Sequence, residues 1–228
     1  MIDGILLINK ERGITSYDVI RKLKKVLPKG QKIGHAGTLD PFATGLLIIL
    51  LGKSTKLMTK ILELEKEYIV KAEFGYSTDT QDVTGEKVYI SRDLKKIPKE
   101  SIEKSIKENF LGNISQLPPQ YSAKKVKGKK AYEYARENKE VKLEPREISV
   151  KSFEIINFNW PIVEFKIVCS SGTYIRTLVH DLGISLGTYA TAIELERTRI
   201  GDFNIKDSFD FNDIYENNKF NFLEWNND

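Results

Sequence analysis

The 228-residue sequence predicts an α+β fold built on a mixed sheet. Three observations predict it. Strand-like runs and helix-like runs are intermixed, without the regular strand–helix–strand recurrence of a doubly wound sheet. No Gly/Ser-rich linker and no internal repeat divides the chain. The composition is globular, with 40% hydrophobic and 30% charged residues including 11 Phe, 10 Tyr and 2 Trp, enough apolar material for one sizeable core. The chain therefore reads as one domain over residues 1–203, carrying a basic inserted element at about 113–146, followed by a short acidic tail over 204–228.

The elements follow in order. Gly4–Asn9 is a short apolar strand. Thr15-Ser16 is an N-cap signal, and Val19, Ile20, Leu23, Val26 and Leu27 then fall on one helical face until Pro28 stops the helix. Gly45–Leu51 is apolar throughout, as a strand covered on both faces requires. Lys53–Leu64 has helical periodicity. Tyr68, Val70, Ala72 and Phe74 alternate with Ile69, Lys71 and Glu73, which is strand periodicity. Ile97-Pro98 opens a helix that reaches Leu111, where Gly112 closes it. Pro118-Pro119 begins an irregular excursion with a short helix near Ala131–Arg136. Glu147–Phe158 and Ile162–Ser170 read as paired strands joined at Trp160-Pro161, Thr173–Leu186 as an amphipathic helix, and Thr188–Arg199 as a strand.

Several function classes are excluded on residue types alone. Cys169 is the only cysteine, so no intramolecular disulfide framework exists and a reducing compartment is expected. With His35 and His180 as the only imidazoles, a structural zinc site is not expected. The longest apolar stretch, Leu46–Leu51, is far short of the ~20 residues of a membrane span, and Met1-Ile2-Asp3-Gly4 lacks the basic start of a signal peptide. The cytoplasm is the expected location, with no membrane contact. Gly52-Lys53-Ser54 lacks the glycine that a phosphate loop needs five residues earlier, where Leu47 stands. The acidic segment Asp79–Gly85 lacks calcium-loop spacing, and no nucleophile elbow is present.

Charge is unevenly spread. Residues 1–60 carry a net +7, 61–120 a net −2, 121–180 a net +5 and 181–228 a net −6. The densest run is Lys124, Lys125, Lys127, Lys129 and Lys130, interleaved with Tyr121, Tyr132 and Tyr134. Cations beside aromatics suit a nucleic-acid backbone with bases to stack on, and equally a solvated face.

The segment with most chemical content is Gly34–Gly45, in which three glycines, His35 and Asp40 lie between strand-like runs. Pro41 biases Asp40 toward an extended backbone, which presents a carboxylate at the end of a strand. Asp-Pro is also a helix start, with Asp as the cap.

Here the sequence resembles a known family. His35-Ala36-Gly37-Thr38-Leu39-Asp40-Pro41-Phe42-Ala43-Thr44-Gly45-Leu46-Leu47 is similar to the signature of the TruB-type tRNA pseudouridine synthases. Further similarities follow in order at Lys66-Glu67-Tyr68, Thr78–Gly85, Gln116–Lys125, Ser171–Arg176, Asp181–Gly183, and Leu195 with Arg197-Thr198 and Gly201. They span about Gly4 to Phe203. The sequence departs from the family pattern in having Glu11 after Asn9-Lys10, where the family has proline, and Glu196 between Leu195 and Arg197. The short tail stands where bacterial relatives continue into an RNA-binding domain.

The resemblance implies a largely antiparallel pseudouridine synthase sheet flanked by helices. It implies isomerisation of uridine-55 in the T loop of tRNA, without cofactor or metal and without an obligatory protein partner. Asp40 is implied as nucleophile at base or sugar, or as the base that deprotonates the sugar. Arg176 is implied as its cationic partner, Tyr68 as the ring that stacks on the flipped base, Tyr174 and Leu195 as pocket walls, His35 as the filler of the gap left in the RNA, and Lys10 as a pocket-edge residue. The T-arm stem-loop is the expected partner, with the lysine run on its phosphates. A non-catalytic tRNA-binding protein on the same scaffold is the alternative. A nucleoside hydrolase would need a second acid or a metal.

Overall fold

The computed structural model describes residues 1–122, 124–126, 128–137 and 139–210. Its elements are β1 (Gly4–Lys10), α1 (Ser16–Leu23), β2 (Ile33–Ala36), β3 (Thr44–Leu51), α2 (Met58–Glu63), β4 (Lys66–Phe74), β5 (Tyr76–Thr78), β6 (Lys87–Ile90), α3 (Lys99–Asn109), β7 (Gly112–Gln116), β8 (Lys125–Val126), β9 (Lys129–Lys130), α4 (Ala131–Ala135), β10 (Arg146–Asn159), β11 (Ile162–Cys169), α5 (Ile175–Ser185), β12 (Ala190–Ile200), β13 (Phe203–Asn204) and β14 (Phe209–Asp210). The fold is α+β with a largely antiparallel sheet, as the sequence predicts. The chain divides into two compact units, Met1–Tyr68 with the residues from Leu195 on, and Ile69–Glu194. By sequence, β4 and β12 contribute residues to both.

In the first unit the strand order is β14-β1-β3-β12-β4. β1 and β3 pair antiparallel from Gly4 opposite Leu51 to Lys10 opposite Gly45. Successive side chains alternate faces, so a strand apolar at every position needs cover on both. Leu46, Ile48 and Leu50 join Ile5, Leu7, Ile61 and Ile200 in one cluster, while Leu47, Ile49 and Leu51 on the opposite face are equally buried. One edge of β3 is shared: β2 pairs with Ile48–Leu51, and β12 pairs in parallel with Thr44 and Gly45. α1 begins where the cap signal places it. Thr15 Oγ1 accepts from the Asp18 amide at 3.1 Å, and the Asp18 carboxylate accepts from the Thr15 amide at 2.9 Å, a complete capping box. The helix predicted over 53–64 is instead a 3-10 segment, Gly52–Leu57, continued by α2.

In the second unit the order is β12-β4-β11-β10-β7. The long β10–β11 hairpin carries two register shifts. Its inner face supplies Phe153, Phe165 and Ile167. Phe153 meets Phe165 edge to face at 5.1 Å and Phe110 at 6.3 Å, the arrangement aromatic quadrupoles favour. Cys169, at the end of β11, is buried. α5 buries Ile175, Leu178, Val179 and Leu182. Its Gly183 has no alternative, because a Cβ there would fall 2.4 Å from the Ala190 amide nitrogen. The strands β5 and β6 form a separate ladder that periodicity did not reveal. β6 is exposed at all four residues, so no buried face marks it in the sequence.

Asp181 on α5 yields a pH prediction. Burial raises its carboxyl from the usual range to about 6. The folded chain then binds more protons than the unfolded chain between pH ~4 and ~6, so stability falls as pH rises through that window, and the cost is fully present above it. Asp181→Asn is expected to raise the melting temperature at pH 7.5, with the gain shrinking toward zero at pH 4, as thermal melts across pH would read.

Candidate active site

Asp40 lies in the first unit, on the short segment between β2 and β3. No helix follows Pro41, so the cap reading of Asp-Pro fails. The chain closes a turn instead, with the Ala43 amide donating to the Asp40 carbonyl at 3.1 Å. Hydrogen bonds hold both neighbours of Asp40. The Leu39 amide donates to Ser16 Oγ at 2.9 Å, and that hydroxyl lies 3.3 Å from the Leu39 carbonyl, to which it donates. The Gly13 amide donates to the Pro41 carbonyl at 2.8 Å.

The ends of the segment are held by Arg197, a residue only 2% exposed. Its Nε donates to the Leu46 carbonyl at 2.8 Å and its Nη2 to the Gly37 carbonyl at 3.0 Å. Gly45, at φ +104°, is forced by this approach, since a Cβ there would fall 2.4 Å from the Arg197 carbonyl oxygen. Lys10 is fully buried and donates to the Glu11 and Ile14 carbonyls, each at 2.9 Å. Burial lowers its pKa to about 8; the Asp40 carboxylate opposes this shift and Arg197 adds to it. Lys10 is thus a buried cation within the field of Asp40. Tyr68 and Leu195 in the same unit are almost wholly buried, with Thr44 Oγ1 3.5 Å from the Leu195 carbonyl. His35 sits half-buried on β2 opposite Ile49.

Arg176 and Tyr174 belong to the second unit. Arg176 is 3% exposed and pairs with Asp82 at 3.3 Å. It also donates to the Thr80 carbonyl and, at 3.0 Å, to the Tyr121 carbonyl. Asp82 is held for this role by its own turn, accepting from Thr80 Oγ1 and the Thr84 amide, each at 2.9 Å. Gln81, at φ +63°, makes that turn tight enough for its side chain to accept from Thr177 Oγ1 at 2.7 Å. Tyr174 is clamped through its backbone by the Gln116 side chain, which accepts from its amide at 2.8 Å and donates to its carbonyl at 3.0 Å. The Arg146 guanidinium lies 4.9 Å from the Tyr174 ring centroid.

The lysine run is less free than the sequence suggests. Lys124 donates to the Glu144 carbonyl at 2.8 Å. Lys129 pairs with Glu137 and lies 4.8 Å from the Tyr134 ring centroid. Lys130 lies 5.4 Å from the Tyr132 ring centroid. Lys127 and the Lys125 side chain lie outside the described residues.

Sequence reasoning passed over Ser16, Gln116, Asp82 and Arg197 as individuals, although each falls inside a stretch it marked. Asp82 had a usable signal: Thr-x-Asp-x-Thr is a turn in which the aspartate side chain bonds the backbone two residues on, which fixes its carboxylate. Ser16 and Arg197 had none, because their partners are backbone atoms far away in sequence.

The comparisons with known proteins agree with one another. A family profile described as "TruB family pseudouridylate synthase (N terminal domain)" matches residues 24–175, and one described as "tRNA pseudouridylate synthase B C-terminal domain" matches residues 176–221. The chain is 46% identical over 222 residues to tRNA pseudouridine synthase B of Clostridium tetani, covering 97% of this chain and 76% of that protein. It is 47% identical over 212 residues to the protein of the same name from Endomicrobium trichonymphae, covering 93% and 91%. Among solved structures it resembles a chain of a Cbf5-Nop10-Gar1 complex, with a TM-score of 0.72 and 30% identity, covering 93% of this chain and 54% of that one. Fold, Asp-Pro loop and relatives together define a pseudouridine synthase, an isomerase. The chain belongs to the TruB family.

The Arg176–Asp82 pair makes a stability prediction. Removing one partner of a buried ion pair leaves the other charge uncompensated, which typically costs ~3–5 kcal/mol. Asp82→Ala is expected to destabilise the protein at the lower end of that range, because two carbonyls still accept from Arg176. Denaturant unfolding measures it.

Proposed function

We propose that this chain isomerises uridine-55 in the T loop of tRNA to pseudouridine, with Asp40 as the reacting carboxylate. The carrying observation is the Asp40 segment: one carboxylate, fixed on both sides, within the field of a buried ammonium. The names of the Clostridium tetani and Endomicrobium trichonymphae relatives support tRNA as the substrate. The chemistry is internally balanced. The N1–C1′ bond breaks, the base turns, C5 joins C1′, C5 loses a proton and N1 gains one. No electron or group donor is needed. Asp40 serves as nucleophile or as base at the sugar. In this reading Arg176 is the cation that balances the Asp40 carboxylate, in the planar form that suits a carboxylate.

Extruding the base costs ~a few kcal/mol, and stacking on an aromatic ring returns ~1–3 kcal/mol. In this reading Tyr68 stacks on the uracil, Tyr174 and Leu195 wall the pocket, His35 fills the vacated place in the RNA, and Lys10 supports the charge balance around Asp40. The reaction falls within residues 1–203, in the cytoplasm, and the lysines of the 113–146 element grip phosphates of the T arm.

Asp40→Asn is expected to reduce pseudouridine formation below detection while tRNA affinity stays within about threefold, since loss of a covalent nucleophile costs up to ~10⁶ in rate. Nucleoside analysis after incubation with tRNA transcript reads this, and appreciable product from the pure variant sinks the assignment. For the grip, replacing Lys125, Lys127 and Lys129 with Ala should weaken T-arm binding. Each lost phosphate contact should flatten the log affinity–log salt slope by ~0.7–0.9. Salt titrations with coincident slopes would refute it.

A further inference from the structure

We propose that Ser16 is a positioning residue for this reaction, its hydroxyl setting the peptide that carries Asp40; the inference rests on the reading of Asp40 as the reacting carboxylate. Ser16 is the first residue of α1 and is 1% exposed. A serine at a helix start ordinarily caps the helix, yet here Thr15 and Asp18 already complete the cap between themselves. The Ser16 hydroxyl is thereby released from helix duty. It uses its donor and one of its acceptor sites on Leu39, accepting from the amide at 2.9 Å and donating to the carbonyl at 3.3 Å. The Leu39 carbonyl belongs to the same peptide plane as the Asp40 amide, so fixing it leaves φ of Asp40 as the only torsion between that plane and the Asp40 Cα–Cβ bond.

The other side of Asp40 is held from the same stretch of sequence. Gly13 donates to the Pro41 carbonyl at 2.8 Å, and the Pro41 ring restricts its own φ. The stretch is itself anchored, because the buried Lys10 ammonium binds the Glu11 and Ile14 carbonyls. The connection between β1 and α1 thus acts as a rigid jig for Asp40, and Ser16 is its only side-chain contact to the residue preceding the carboxylate among the hydrogen bonds described. Misplacement of a reacting group by ~1 Å can cost ~10²-fold in rate. A hydroxyl that fixes a single peptide therefore influences the chemical step and leaves substrate affinity alone.

The test is Ser16→Ala beside Asp40→Asn, each assayed for single-turnover isomerisation at saturating tRNA, for tRNA affinity and for amide hydrogen exchange. For Ser16→Ala the rate should fall about 10- to 100-fold, with affinity within threefold of wild type. The Leu39 amide should exchange at least tenfold faster, and the amides of β1 and β3 should keep their protection. A folded Ser16→Ala enzyme at the wild-type rate would overturn the proposal. So would a variant that loses tRNA affinity in step with rate, or one that fails to fold, since either outcome assigns the hydroxyl to binding or to stability. Activity in Asp40→Asn would instead remove the reading of Asp40, and the role of Ser16 with it. An inactive Asp40→Asn beside a fully active Ser16→Ala defeats the Ser16 inference alone.

Discussion

Four cations with almost no exposure, Lys10, Lys66, Arg176 and Arg197, set the terms for the rest of the structure. A charge taken out of water must be met by partners or the fold does not tolerate it. Main-chain carbonyls are partners of all four. Lys10 binds the carbonyls of Glu11 and Ile14, and Arg197 those of Leu46 and Gly37. Lys66 turns back onto the Leu62 and Leu64 carbonyls at the end of α2, where the helix dipole also favours a cation. Arg176 adds a carboxylate, Asp82, to its carbonyls.

This choice of partner explains how irregular segments come to be fixed. Carbonyls outside strands and helices need donors, and a long cationic side chain supplies several in one place. The connection after β1, the Asp40 segment and the acidic turn around Asp82 have little or no regular hydrogen bonding of their own, yet each has a buried cation tied into it. The arrangement makes each cation sensitive to conservative change. Lysine in place of Arg197 could not reach two carbonyls as far apart in sequence as Gly37 and Leu46 with the same planar geometry.

The sequence made the regular parts legible and the fixings illegible. The alternation in β4, the apolar run of β3 and the capped start of α1 all follow from local chemistry, and all stand in the structure. The short strands β2, β5 and β7 went unread, because three to five residues carry too little periodicity to register. In the candidate site the Asp40 loop was legible through its glycines and Asp-Pro, and the family resemblance supplied Tyr68, Tyr174, Leu195 and Arg176. The pairing of Arg176 with Asp82 was not legible, although both residues lay in marked stretches, because nothing local relates position 82 to position 176. The same holds for Ser16 with Leu39. The internal partners of the basic run were not legible either: Lys124 donates to the Glu144 carbonyl and Lys129 pairs with Glu137.

The placement of Cys169 has a practical side. The chain's only thiol is 1% exposed at the inner end of a core strand, where alkylating reagents in water reach it slowly. The surface of the described residues is thus a blank background for thiol chemistry. A cysteine introduced into the basic element or near the Asp40 segment would take a fluorophore or spin label at one place, without first removing a native residue from the core. Distances from such a probe to a labelled RNA would then report where the substrate settles on the native protein.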